Sequence, residues 1–95
     1  MELHIIARFH ARPGCEGDIE AAIREVSGPT RAEAGCLGYQ VFRSTRDPLF
    51  FIHSRWKDEE AFELHAALPH TVRFLATVEP LIDHALDVTR AREII

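Results

Sequence analysis

The sequence predicts a small α+β domain of the split βαβ, ferredoxin-like kind. It has a four-stranded antiparallel sheet, helices on one face, and a second copy of the chain on the other. Three observations lead there. Apolar residues recur with period two or with helical spacing in the order strand, helix, strand, strand, helix, strand. The 95 residues suit a single domain spanning 1–95, which buries roughly 65% of its unfolded surface and so has a modest core. The central hairpin carries large apolar groups on both faces, more than one helical layer covers, which points to two sheets closing on each other in a homodimer.

The first strand covers residues 2–10. Leu3, Ile5, Ala7 and Phe9 alternate with His4, Ile6, Arg8 and His10. Arg12-Pro13-Gly14 makes a turn. A helix follows over 16–27, with Ile19, Ala22, Ile23 and Val26 at helical spacing and acidic residues in its first turn. Gly28-Pro29 is expected to end it and to open a short turn reaching Glu33.

The second and third strands span 37–44 and 49–57, joined through Thr45-Arg46-Asp47-Pro48. Read strand by strand, one face of this hairpin holds Leu37, Tyr39, Val41, Leu49 and Phe51, and the other Phe42, Phe50, Ile52 and Trp56. Asp58 is an N-cap, and Glu59-Glu60 suit the positive helix end behind it. That helix runs to about Leu68. Pro69 restarts it, an apolar stripe of Val72, Leu75, Ala76 and Val78 continues, and Pro80 ends it. A last strand over 83–91 sets His84, Leu86 and Val88 on one face.

Composition narrows the function. A net charge of −4 argues against nucleic acid as the main partner, and Arg90 and Arg92 do not reverse it. No segment approaches the roughly 20 apolar residues that span a bilayer. The start, Met1 to Arg8, has no basic n-region or long apolar run, so a cytoplasmic setting is expected, with Cys15 and Cys36 as reduced thiols. Neither cysteine has a local reason for a lowered pKa, and neither is expected to be catalytic. No G-x-G-x-x-G or P-loop is present.

The histidines are the chemistry-bearing residues. His65 shares a helix face with Ala61, Phe62 and Leu68, the face that meets the sheet. It is either a hydrogen-bonded core histidine or a base in a pocket. His70, after Pro69, is either a capping residue or a binding residue. On one continuous helix, positions five apart stand ~140° apart, so one ion cannot easily take both, and no metal is expected. Trp56, Tyr39, Phe62 and Phe74 are candidate walls for a flat ligand, each with core packing as the alternative. His4, His10, His53 and His84 fall on strands with no assigned role. Arg8, Arg43 and Arg55 could hold an anionic group, and Glu33 is read as structural, pairing with Arg31 or capping a neighbour.

The stretch TRAEAGCLGYQVFRSTRDPLFFIHSRWKDEEAFELHAALPH, residues 30–70, resembles the antibiotic biosynthesis monooxygenase family. The matching positions are Thr30, Arg31, Glu33, Gly35, Cys36, Tyr39, Trp56, Asp58, Ala61, His65 and His70. The resemblance implies a dimeric α/β barrel. It also implies a cofactor-independent monooxygenase that oxidises a quinol, anthrone or related aromatic ring with O₂, using no flavin or metal. On that reading His65 is the catalytic base, and Trp56, His70, Tyr39, Phe62 and Phe74 contact the substrate. Two other activities occur on the same fold, isomerisation of a small phosphorylated signalling sugar and haem degradation. A dimer that binds a small hydrophobic ligand without turnover is a further alternative. The sequence departs from the family pattern at Ser54, where Glu is common, and in having no Asn, which haem-degrading members and some anthrone-oxidising ones use. Haem degradation is therefore not expected.

Overall fold

A computed structural model describes residues 1–95. The strands are β1 (Leu3–His10), β2 (Cys36–Arg43), β3 (Leu49–Trp56) and β4 (Asp87–Ala91). The helices are α1 (Glu16–Arg31), α2 (Glu59–Ala67) and α3 (Pro69–Val78), with a single 3₁₀ turn at Glu79–Leu81. The sheet order is β2-β3-β1-β4 and every pairing is antiparallel. This is the expected ferredoxin-like α+β fold. No helix is long and apolar enough to cross a membrane.

The period-two pattern of β1 is realised as read: Leu3, Ile5, Ala7 and Phe9 are buried. The main core joins Ala7, Phe9, Phe50 and Ile52 of the sheet to Ile19, Ile23 and Val26 of α1 and Phe74 and Val78 of α3. A smaller cluster of Leu3, Ile5, Trp56 and Ala61 fills the other end of the sheet, with Phe62 and Cys36 packed against it. Phe9 and Phe74 meet edge to face at 5.8 Å.

Three expectations need correction. First, α1 does not stop at Gly28 but runs through Pro29 to Arg31. Proline removes one N–H from the helix ladder, yet Val26, Ser27 and Thr30 are buried, and that packing holds the last turn. Second, the two hairpin strands sit in a different phase from the one expected. Tyr39 lies opposite Ser54 and Val41 opposite Ile52, so both share a face with Phe50 and Trp56, whereas Phe42 pairs with Phe51 on the open face. The connection sets this phase: Ser44 N–H donates the last hairpin bond to the Leu49 carbonyl, and the Ser44 hydroxyl accepts from the Arg46 and Asp47 N–H groups. Third, β4 begins at Asp87. Ile82 already bridges to Ala11, but the chain bends away at His84 before pairing resumes.

The open sheet face is mixed. Ile6 and Phe42 are 41% and 52% exposed. The Arg8 guanidinium lies 5.9 Å from the Phe51 ring centre, and the His4 and His53 rings stack at 5.1 Å.

Candidate functional site

Backbone hydrogen bonds fix the turn after α1. Glu33 N–H donates to the Thr30 carbonyl, and the Glu33 carbonyl accepts from Cys36 N–H. Arg31 donates from Nε and Nη2 to the Tyr39 carbonyl at 3.2 and 2.9 Å, tying the helix end to β2. Gly35 lets α2 approach: a Cβ there would lie 2.5 Å from the Ala61 Cβ. Asp58 caps α2 as expected, accepting from Ala61 N–H at 2.8 Å. From β4, Arg90 pairs with Glu59 and Glu63 and covers the Phe62 ring at 5.1 Å, so α2 is held on both sides.

The break between α2 and α3 decides where the histidines go. Leu68 is extended (φ −70°, ψ 147°), ending one helix and preceding Pro69 at the start of the next. His65 and His70 therefore do not follow one helical spiral, and the 140° separation assumed for them does not apply. They converge on Glu33. His65 Nδ1 and His70 Nε2 each lie 2.8 Å from the same Glu33 oxygen, Oε2. The Thr71 hydroxyl stands 3.3 Å from His65 Nδ1. The three side chains are only 12–20% exposed.

The His65 ring centre is 4.5 Å from that of Trp56 and 5.8 Å from that of Phe62. Trp56 is fully buried and donates its indole N–H to the Ser54 hydroxyl at 3.0 Å. The serine that departs from the family pattern thus satisfies an otherwise orphaned buried donor.

The structure therefore brings together four of the six residues singled out from sequence: His65, His70, Trp56 and Phe62. Tyr39 and Phe74 lie instead in the main core. Burial pushes the Tyr39 phenol up to about 12, which keeps it protonated near neutral pH. Burial likewise raises the Cys36 thiol, so this cysteine is not an activated nucleophile. Phe74 and His70 line a shallow recess between α1 and α3 with Ala22, Val26 and Pro29.

Glu33 was read as structural, and the structure makes it the centre of the cluster. Its partners lie 32 and 37 positions away, beyond the reach of local spacing. Its place in the T-R-x-E segment was the available signal. Glu33, His65 and His70 also place three ligand-type atoms within 4.8 Å of one another, an arrangement that could hold a metal.

Chemically, a carboxylate facing Nδ1 of His65 fixes the proton on that nitrogen and leaves Nε2 with its lone pair. The same carboxylate steadies the ring if Nε2 takes a proton. The flat indole and phenyl faces next to it are apolar walls suited to a planar ring.

The comparisons agree with this architecture. The family model described as antibiotic biosynthesis monooxygenase matches residues 3–77. The Mycobacterium tuberculosis protein named putative monooxygenase Rv0793 is 31% identical over 85 residues, covering 90% of this chain and 84% of that protein. Its solved structure superposes with a TM-score of 0.95 over 100% of this chain and 97% of the other, at 27% identity in that alignment. The Pseudomonas aeruginosa protein PA3566 superposes with a TM-score of 0.91 at 32% identity, covering 99% and 95% of the two chains. The family match takes in Glu33, His65, His70 and the strand that ends at Trp56, and on that ground the chain belongs to the antibiotic biosynthesis monooxygenase family.

Proposed function

We propose that this protein is a cofactor-independent monooxygenase that oxidises an electron-rich aromatic substrate, a quinol or anthrone, with O₂. The observation that carries this reading is the Glu33–His65 contact at 2.8 Å beside the Trp56 face. His65 Nε2 takes a proton from the acidic O–H or C–H of the substrate. Glu33 holds the imidazolium that results, as a carboxylate does for the histidine of an acid–base pair. The ring anion then gives electrons to O₂. For an anthrone the ring CH₂ becomes a carbonyl, one oxygen atom enters the product, and the other leaves as water with the two hydrogens. The electrons come from the substrate itself, so the balance needs no further reductant. Trp56 and Phe62 hold the ring, and His70 helps orient Glu33 through its own contact with the same oxygen.

Oxygen uptake by purified, metal-free protein, screened against reduced quinones and anthrones, tests this reading. Turnover dependent on one of these ring classes is expected. Ring binding with no oxygen consumption would favour a ligand-binding dimer instead, and turnover only of a phosphorylated sugar would favour an isomerase.

The working form on this reading is a cytoplasmic homodimer joined through the open sheet face. The exposed Ile6 and Phe42, with Leu49 and Phe51 beside them, support that surface. Light scattering at micromolar concentration is expected to give twice the chain mass. A monomer mass would remove this part of the proposal.

A further inference from the structure

At the opposite end of β1, a second set of side chains converges. His10 closes β1, and Asp83 and His84 lie in the bend before β4. His10 Nδ1 and His84 Nδ1 each lie 2.5 Å from the same Asp83 oxygen, Oδ1. The two rings meet edge to face at 4.9 Å. The backbone holds this arrangement: Asp83 N–H donates to the His10 carbonyl at 3.1 Å, and the adjacent Ile82 bridges to Ala11. Glu16 lines the same surface recess as His10 and Asp83 and has one carboxylate oxygen, Oε1, buried without a hydrogen-bond partner.

We propose that His10, Asp83 and His84 form a binding site for a divalent borderline metal ion of the zinc type, separate from the Glu33 site. Two imidazole nitrogens and one carboxylate oxygen, all within 4.8 Å of one another, are the donor set such ions take. Donors around a tetrahedral zinc stand about 3.3 Å apart, given bonds of about 2.0–2.1 Å, so each nitrogen–oxygen separation of 2.5 Å needs to widen by less than about an ångström. The His84 side chain is 71% exposed, so it can make that movement.

The inner cluster offers the same donor types, but its His65 ring packs on Trp56 and Phe62 and its side chains are mostly closed to water. The outer cluster leaves the ion's remaining positions open to solvent ligands. Bound there, a metal would cross-link the end of β1 to the segment preceding β4, 73 residues away in the chain.

The test is calorimetric titration of untagged, metal-stripped protein with zinc ion, in the presence of a phosphine reductant, paired with thermal melts. One zinc per chain and a raised melting temperature are expected. Asp83→Asn should abolish both, His84→Gln should weaken binding at least tenfold, and Glu33→Gln should leave binding as in the parent. Absence of zinc binding in the parent would overturn the proposal. So would full binding by Asp83→Asn, or loss of binding in Glu33→Gln, which would put the ion in the inner cluster.

Discussion

Each end of β1 has a pair of imidazoles sharing one carboxylate oxygen, yet the two clusters differ in almost every other respect. At the Leu3 end, Glu33, His65 and His70 come from three separate segments and are mostly out of water, and the His65 ring rests on the Trp56 indole. At the His10 end, the side chains of His10, Asp83 and His84 are 29–71% exposed, and two of them are neighbours in sequence. On the proposed reading, the same donor set would serve different chemistry according to what surrounds it. Apolar walls around an imidazole exclude water and present a ring-shaped surface, which suits proton transfer to a flat organic substrate. Solvent around an imidazole supplies the extra ligands a metal ion needs.

The contrast is sharpest in stability. Trp56→Ala should cost about 3–5 kcal/mol, because the indole is fully buried and its removal leaves a cavity and strands the Ser54 hydroxyl. His84→Ala, with its side chain mostly in solvent, should change the apo protein by less than about 0.5 kcal/mol. Urea titrations of both variants check this. Comparable losses would mean that the two ends are not the buried and open sites described here.

Next in size is Gly35→Ala. Its Cβ would meet Ala61 at 2.5 Å, so α2 must move, at a cost of about 1–3 kcal/mol. Because α2 carries His65, oxygen uptake should fall along with the melting temperature, whereas zinc binding at the far end should be kept. Loss of both functions together would indicate general unfolding.

A third histidine pair sharpens the comparison further. His4 and His53 on the open sheet face also touch, Nδ1 to Nε2 at 2.8 Å, but no carboxylate stands between them. Burial, together with the charges of His4 and Arg55, holds the His53 imidazole below its usual value of 6.5. The folded state thus disfavours a proton that the unfolded chain accepts. The stability from this residue is present above about pH 6.5 and is lost as the pH falls below it. Melting temperatures taken from pH 7.5 to 5 should fall less steeply for His53→Gln than for the parent. Identical slopes would remove His53 from the pH response.

The fold was legible because its elements have clean periods: Leu3 to Phe9 alternate, and Ile19, Ile23 and Val26 form a stripe. What sequence periodicity missed was relational. The phase between β2 and β3 depends on how Ser44 closes the hairpin, and no pattern within either strand carries it. The continuation of α1 through Pro29 depends on burial of Thr30, a tertiary gain that outweighs a local preference. Half of the site was visible as His65 near Trp56. Glu33 was not, since its partners lie across the fold. The Leu68-Pro69 step was seen as a restart, but its effect was to redirect His70 onto Glu33, where a continuous helix would have sent it elsewhere.

The central claim is that the buried cluster does acid–base work and the open one does not. The most direct test measures the thermal melt and oxygen uptake on the same preparation of His65→Gln. The account predicts a folded protein whose turnover per folded molecule falls by roughly 10²–10⁴, the range for loss of a general base. A lowered melting temperature with undiminished turnover would contradict it, leaving His65 as a polar filler of the core and moving the search for the base to His70.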